Sequence, residues 1–122
     1  MKTLRVLVID DEKVIGDACR MVLAEKGHRV LHCLTGSEGL RAIDREAYDL
    51  ILLDMKLPDI DGSMILNRVK KQVFRPTIIV MTGYSTLTNA IEAMKLGAVD
   101  YLAKPFTEDD LLAAIEEQFE GP

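Results

Sequence analysis

Four places along the chain carry side chains able to do chemistry, and each follows a short apolar run. Asp10, Asp11 and Glu12 follow residues 4–9. Asp54 follows residues 50–53. Thr82 and Gly83 follow residues 77–81. Lys104, with Pro105 behind it, follows residues 99–103. A buried, unpaired carboxylate is expensive. Asp54 therefore either reaches water at the end of its run or sits where another group compensates its charge.

Taken singly, each place has an ordinary reading. Two aspartates at a strand end serve as a helix cap and a solvated charge. An aspartate just ahead of a Pro-Asp loop is turn chemistry. Thr82-Gly83 is a strand end and a turn, and Lys104 is a surface lysine. Pro105 marks an extended or turn junction and is compatible with a cis bond. Taken together they are far more specific, because all four fall at the same end of successive apolar runs.

Three clustered carboxylates repel one another. A hard divalent cation relieves this, and Mg²⁺ is typically held by one or two carboxylates, water and phosphate oxygens. A phosphoryl group brought there would place its oxygens near Thr82, a hydrogen-bond donor, and Lys104, a neutralising charge. Asp54 would then be the nucleophile and form an aspartyl phosphate. Alignment and electrostatic stabilisation would do most of the work.

These residues need a scaffold that aligns strand ends. The runs at 4–10, 51–53 and 77–81 are rich in β-branched and aliphatic residues and read as central parallel strands. Residues 28–33 and 99–103 are weaker strand candidates. Helical periodicity fills the gaps. Ile15, Ala18, Cys19, Val22 and Leu23 form one stripe, closed by Gly27. Thr35 and Glu38 suggest a capping box ahead of Leu40, Ile43 and Ala47. Ser63 is a candidate cap for Ile65, Leu66 and Val69. Leu87, Ala90, Ile91 and Met94 form a stripe ending near Gly97. Thr107 is a candidate cap for Leu111, Leu112, Ile115 and Phe119. The order is β-α five times, which predicts an α/β fold with a parallel sheet, helices on both faces and right-handed crossovers. Function in such sheets sits beyond the carboxyl ends of the strands. The strands flanking the first at a switch point are the second and third, which would bring Asp54 beside Asp10 and Asp11.

Composition removes several alternatives. The 122 residues suit one domain, residues 1–122, with no repeat, low-complexity tract or linker. Glu120-Gly121-Pro122 is too short to establish a linker. Fifteen Lys and Arg against twenty Asp and Glu give a net charge of −5, which argues against nucleic-acid binding through a basic surface. No apolar run approaches bilayer length, and the N-terminal run lacks a cleavage site, so a cytoplasmic protein away from membranes is expected. Cys19 and Cys33 lack metal-ligand spacing and read as buried thiols. His28 and His32 read as strand-edge histidines sharing one face.

The motifs VLVIDDE (6–12), LILLDMKLPDIDG (50–62), VMTGY (80–84) and DYLAKPF (100–106) occur in an order that resembles the receiver domain of two-component response regulators. The resemblance covers essentially the whole chain. It implies a flavodoxin-like doubly wound (βα)5 fold with strand order 2-1-3-4-5. It implies that Asp54 is the phosphoacceptor, taking a phosphoryl group from a histidine kinase's phosphohistidine. Asp10 and Asp11 match the acid pair that binds Mg²⁺, Asp11 being favoured as direct ligand, with Asp54 and the backbone carbonyl of Lys56 completing the protein's ligands. Thr82 and Lys104 match the hydroxyl and lysine that contact the phosphoryl group, and Thr82 with Tyr101 the switch pair. Gly83 would leave the site accessible. Lys56 and Tyr84 lie where such receivers vary and are expected to tune the phosphoaspartate lifetime. The stretch AIEAMKLGAVDYLAKPF (90–106) is similar to receivers of sigma-54-type transcription activators.

The partners implied are a sensor histidine kinase or phosphotransfer protein, an output domain outside this chain, and a second copy of the receiver on phosphorylation. The face made by the fourth helix, fifth strand and fifth helix would be the one that switches, presenting Leu87, Tyr101 and the flanks of Asp110 and Leu111. The protein would be no enzyme beyond catalysing its own phosphorylation and dephosphorylation. A haloacid dehalogenase-type phosphohydrolase also uses a strand-end aspartate, Mg²⁺, a hydroxyl and a lysine. It requires a second aspartate two residues on as general acid/base, and here that residue is Lys56. A flavodoxin-like mononucleotide module needs a Gly-, Ser- or Thr-rich loop after the first strand, whereas Asp10-Asp11-Glu12 would repel a phosphate in the absence of metal. A receiver-like fold without phosphorylation leaves the full set of site residues unexplained.

Overall fold

The apolar runs become five parallel strands, and the helical stripes become the five helices between and after them. A computed structural model describes residues 2–83 and 87–120, apart from the side chains of Leu87 and Asn89. The order is β1 (Arg5–Ile9), α1 (Lys13–Glu25), β2 (Arg29–Cys33), α2 (Gly36–Arg45), β3 (Leu50–Asp54), α3 (Gly62–Lys70), β4 (Thr77–Thr82), α4 (Leu87–Lys95), β5 (Asp100–Ala103) and α5 (Glu108–Phe119). The sheet order is β2-β1-β3-β4-β5, the expected doubly wound arrangement. Tyr84, Leu87 as a docking side chain, Gly121 and Pro122 lie outside what is described.

The strands alternate sides, as the period of two requires. Leu7, Ile9, Ile51, Leu53, Ile78 and Val80 face one core, which Ile43, Ile65, Leu66, Val69, Ala90 and Ala93 cover from α2, α3 and α4. Val6, Val8, Leu50, Leu52, Ile79 and Met81 face the other, covered by Cys19, Leu23, Leu111 and Ile115 of α1 and α5. All five residues of β3 are buried. Each aliphatic side chain buried this fully contributes about 1.5–3 kcal/mol, so β3 is the strand least free to shift. Parallel pairing sets Ile9 opposite Leu53 and Asp54 opposite Met81. Asp10 therefore emerges level with Asp54, and Thr82 one step beyond it.

Several local expectations change. Asp54 is the last residue of β3, inside the pairing and buried, so of its two possible placements it takes the one that needs a compensating group. Asp61, not Ser63, caps α3. Its extended backbone lets its carboxylate accept from the Ser63 amide at 2.9 Å, and the helix already begins at Gly62. Thr107 caps α5 in a full capping box with Asp110. Thr35 accepts from Glu38 N at 3.1 Å, one half of the box expected there. Among the described side chains of α4 the buried positions are Ala90 and Ala93, whereas Ile91 and Met94 are exposed. Small alanines let that helix lie close on the sheet and turn the larger side chains outward. In α1, Gly16 is buried and Ala18 exposed, and Ala47 falls after the end of α2. Gly27 and Gly97 take positive φ at the ends of α1 and α4, where a side chain would be strained.

The histidines also differ from the expectation. His28 precedes β2 and is buried, with its Nδ1 accepting the Leu4 amide at 3.0 Å. His32 lies within β2, its Nε2 is 2.8 Å from the Asp10 carbonyl, and its ring fills the space beside Gly16. Both thus tie β1 to its surroundings. Cys19 and Cys33 are free and buried, as expected.

Candidate functional site

The switch point of the sheet lies between β1 and β3, with β4 and β5 following on the β3 side. Asp10, directly after β1, is fully buried. Its Oδ1 accepts from the Glu12 amide at 2.8 Å. That Asx-type turn carries the chain away from the sheet into α1 and leaves Asp11 exposed at the crevice. Asp54 Oδ1 accepts from the Lys56 amide at 2.9 Å, a matching turn after β3. Each aspartate thus spends one oxygen on its own backbone and directs the other toward the crevice.

Lys104 closes the group. Its amide donates to the Thr82 carbonyl at 2.6 Å, which locks the end of β5 to β4, and the Lys104–Pro105 peptide is cis. Its Nζ lies 2.8 Å from Asp10 Oδ2, 3.3 Å from Asp54 Oδ2 and 3.5 Å from Glu12 Oε1. Burial alone would pull the lysine pKa down. The hydrogen-bonding and charge of Asp10, with the charges of Asp54 and Glu12, outweigh it and hold the ammonium above its usual range. For Asp54 burial is the largest influence and raises its pKa, with the Asp10 charge adding to it. The Lys56 amide and Lys104 offset part of the rise.

One ammonium cannot balance three acids. Asp10 Oδ2 meets the Lys104 ammonium at 2.8 Å, and among the described residues no other donor reaches this buried oxygen. Oxygens of Asp10, Asp11 and Asp54 lie within 4.8 Å of one another. An all-carboxylate donor set with unsatisfied lone pairs fits a hard divalent cation such as Mg²⁺. Asp11, Glu12, Asp54, Lys56, Gly83 and Lys104 line an open cavity of about 480 Å³.

The remaining expected residues are placed less uniformly. Thr82 is buried at the end of β4, and its hydroxyl donates to the Gly83 carbonyl at 3.1 Å, a bond within its own strand end. Tyr101 stands on β5 opposite Val80, 39% exposed, away from the acidic cluster. Lys56 is exposed, and its position pairs with Asp61 in an isolated antiparallel bridge. Two residues were not singled out from the sequence. Glu12 was visible as the third acid of its run, but its reach to Lys104 depends on the turn. Asp59 gave no signal beyond turn chemistry, and its partners are 22 and 23 residues away.

The comparisons with known proteins agree with this geometry. The family model described as the response regulator receiver domain matches residues 6–116. The chain is 41% identical over 112 residues to the transcriptional regulatory protein DltR of Streptococcus agalactiae, covering 92% of this chain and 50% of that protein. It thus spans about half the length of that relative. It is 33% identical over 117 residues to sporulation initiation phosphotransferase F of Bacillus subtilis, covering 96% of this chain and 94% of that one. A crystal structure of NtrX from Brucella abortus superposes with a TM-score of 0.90 at 30% identity, over 98% of this chain and 27% of that one. Sequence, sheet order and the strand-end cluster lead to one assignment: the chain belongs to the response regulator receiver domain family and is a receiver of two-component signal transduction.

Proposed function

We propose that Asp54 accepts a phosphoryl group and that the site works as a Mg²⁺-dependent aspartyl-phosphate switch. The observation that supports this most directly is Lys104 Nζ bridging Asp10 and Asp54 at 2.8 and 3.3 Å across the switch point. A carboxylate oxygen of Asp54 attacks phosphorus, and the bond to the donor imidazole nitrogen breaks. The phosphoryl group stays on Asp54 and the imidazole leaves with its electron pair. Mg²⁺ held by Asp10, Asp11, Asp54 and the backbone carbonyl of Lys56 would neutralise phosphoryl oxygens and hold them in line. Lys104, already bonded to Asp54 Oδ2, contacts a phosphoryl oxygen and compensates the added charge. Thr82 gives up its bond to the Gly83 carbonyl and donates to the phosphoryl group. That pull biases the face of α4, β5 and α5, where Tyr101 is the partner side chain of the switch. Lys56, in place of a second aspartate, leaves no general acid for turnover of outside substrates, so catalysis is confined to the protein's own phosphorylation and dephosphorylation.

On this reading residues 1–122 act as one receiver domain in the cytoplasm. A sensor histidine kinase or phosphotransfer protein donates, and an output domain or a second copy of the receiver responds. The decisive experiment is incubation with Mg²⁺ and acetyl phosphate followed by intact-mass measurement. One added phosphoryl group on the wild type, and none on Asp54→Asn, is expected. No adduct with a range of small donors, and no spectral response to beryllofluoride, would overturn the reading.

A further inference from the structure

The segment from Met55 to Asp61, between β3 and α3, must carry Lys56 past the acidic cluster and return to start a helix. It is closed at its base, where the Gly62 amide donates to the Met55 carbonyl at 3.3 Å and Lys56 bridges to Asp61. On the α4 side it borders a cavity of about 610 Å³ that reaches Glu92 and Leu96, so that flank is open. On the other side it is tied down by Asp59. Its Oδ1 accepts from the Gly36 amide at 2.9 Å, and its Oδ2 from the Ser37 amide at 2.9 Å and the Ser37 hydroxyl at 2.7 Å. These donors belong to the first turn of α2, where a helix leaves amides unpaired and favours an anion. The next residue adds an apolar contact: Ile60 lies directly over Gly36, so closely that a Cβ at position 36 would run into its side chain. The hydrogen bonds from Ser37, then from Gly36, hold the Asp59 carboxyl down at a pKa of about 2.

We propose that Asp59 is a positioning residue of the metal site: its carboxylate, seated on the first turn of α2, fixes the loop that presents the Lys56 carbonyl to the cation. The proposal rests on the reading of Asp10, Asp11, Asp54 and Lys56 as metal ligands. A groups-behind-the-ligand contact of this kind commonly controls metal affinity by about tenfold or more. Without the tie, the cation must order the loop at its own expense, and affinity falls by that cost.

The test is calorimetric titration of the unphosphorylated protein with Mg²⁺, paired with amide exchange at Gly36 and Ser37. Asp59→Ala should weaken Mg²⁺ about tenfold and expose both amides to exchange. Asp59→Asn keeps a carbonyl acceptor without the charge and should lie nearer the wild type. Gly36→Ala, which keeps the Asp59 charge but displaces Ile60, should also weaken Mg²⁺. The inference is overturned if Asp59→Ala frees the two amides yet binds Mg²⁺ as the wild type does. It is equally overturned if Asp59→Asn matches Asp59→Ala while Gly36→Ala binds normally, because the effect would then be lost charge alone. The underlying reading fails separately, and the inference with it, if the wild type binds no Mg²⁺ or Asp11→Asn leaves its binding unchanged.

Discussion

Lys104 sits among three acids with its side chain 13% exposed, and the balance it strikes makes the residue scale testable. Removing it leaves two buried carboxylates without a counter-charge. Lys104→Ala should therefore destabilise the metal-free protein by about 3 kcal/mol, the usual cost of breaking a buried pair, read by denaturant unfolding at neutral pH. Asp54→Asn should do the reverse. Burial raises the Asp54 pKa, so the folded state holds its proton more tightly than the unfolded chain does. The site's penalty is absent below the ordinary carboxylate range and grows as pH rises through the window up to the folded value. Above that folded value the penalty is complete, and there Asp54→Asn should stabilise by about 1 kcal/mol. Added Mg²⁺ should shrink that gain, because it binds the site with the Asp54 carboxylate more tightly than the site with asparagine. The two substitutions share a contact, so their combined effect should depart from the sum. At this scale the acids, Thr82 and Lys104 were legible, because strand ends fix where they emerge. Glu12 and Asp59 were not, because their partners are chosen by turns that period and propensity do not describe.

At the scale of elements, the β-α alternation was readable because aliphatic runs and helical stripes have different periods. The misread details share a physical cause. Helix starts depend on the φ and ψ of two or three residues, and buried faces depend on how near a helix lies to the sheet. Asp61 and Ser63 are both good caps by type, but only Asp61 has the extended backbone and the amide within reach. Asp61→Ala should cost about 1 kcal/mol, and Ser63→Ala only a few tenths by thermal unfolding. Equal effects would return the cap to Ser63. In α4, the helical stripe read from the sequence was Leu87, Ala90, Ile91 and Met94, whereas close packing on β4 buries Ala90 with Ala93 and leaves Ile91 and Met94 outside. Thr107 was read correctly because its box with Asp110 is reciprocal and lies within four residues.

Across the whole molecule, two buried groups on the α1 and α5 side of the sheet, His28 and Cys19, titrate at opposite ends of the pH scale. His28 ties the start of β1 to the chain entering β2, its Nδ1 accepting from Leu4 while Arg29 N donates to the Leu4 carbonyl at 2.9 Å. Burial lowers its pKa, with the N-terminal charge adding to the effect. The neutral ring is therefore the folded form. Its contribution is complete above the ordinary histidine range and is lost as pH falls through the folded value. Cys19 lies in the core under α1, where burial first and the Asp10 charge second push its thiol to about 11. The unfolded thiol ionises near 9.0, so stability should begin to fall there and continue to fall until the folded group ionises. The two-unit window corresponds to roughly 3 kcal/mol. Lys104, held above its usual value by the acids around it, keeps its ion pairs over most of that range. Chemical unfolding between pH 5 and 11 should thus give a plateau with both edges sloping down. Cys19→Ala should make the edge from 9 to 11 shallower while leaving the acid edge intact. His28→Gln should flatten the acid edge alone. If Cys19→Ala leaves the alkaline slope unchanged, the Cys19 thiol is not its source, and Cys33 and Tyr48, which burial also pushes up, must carry it.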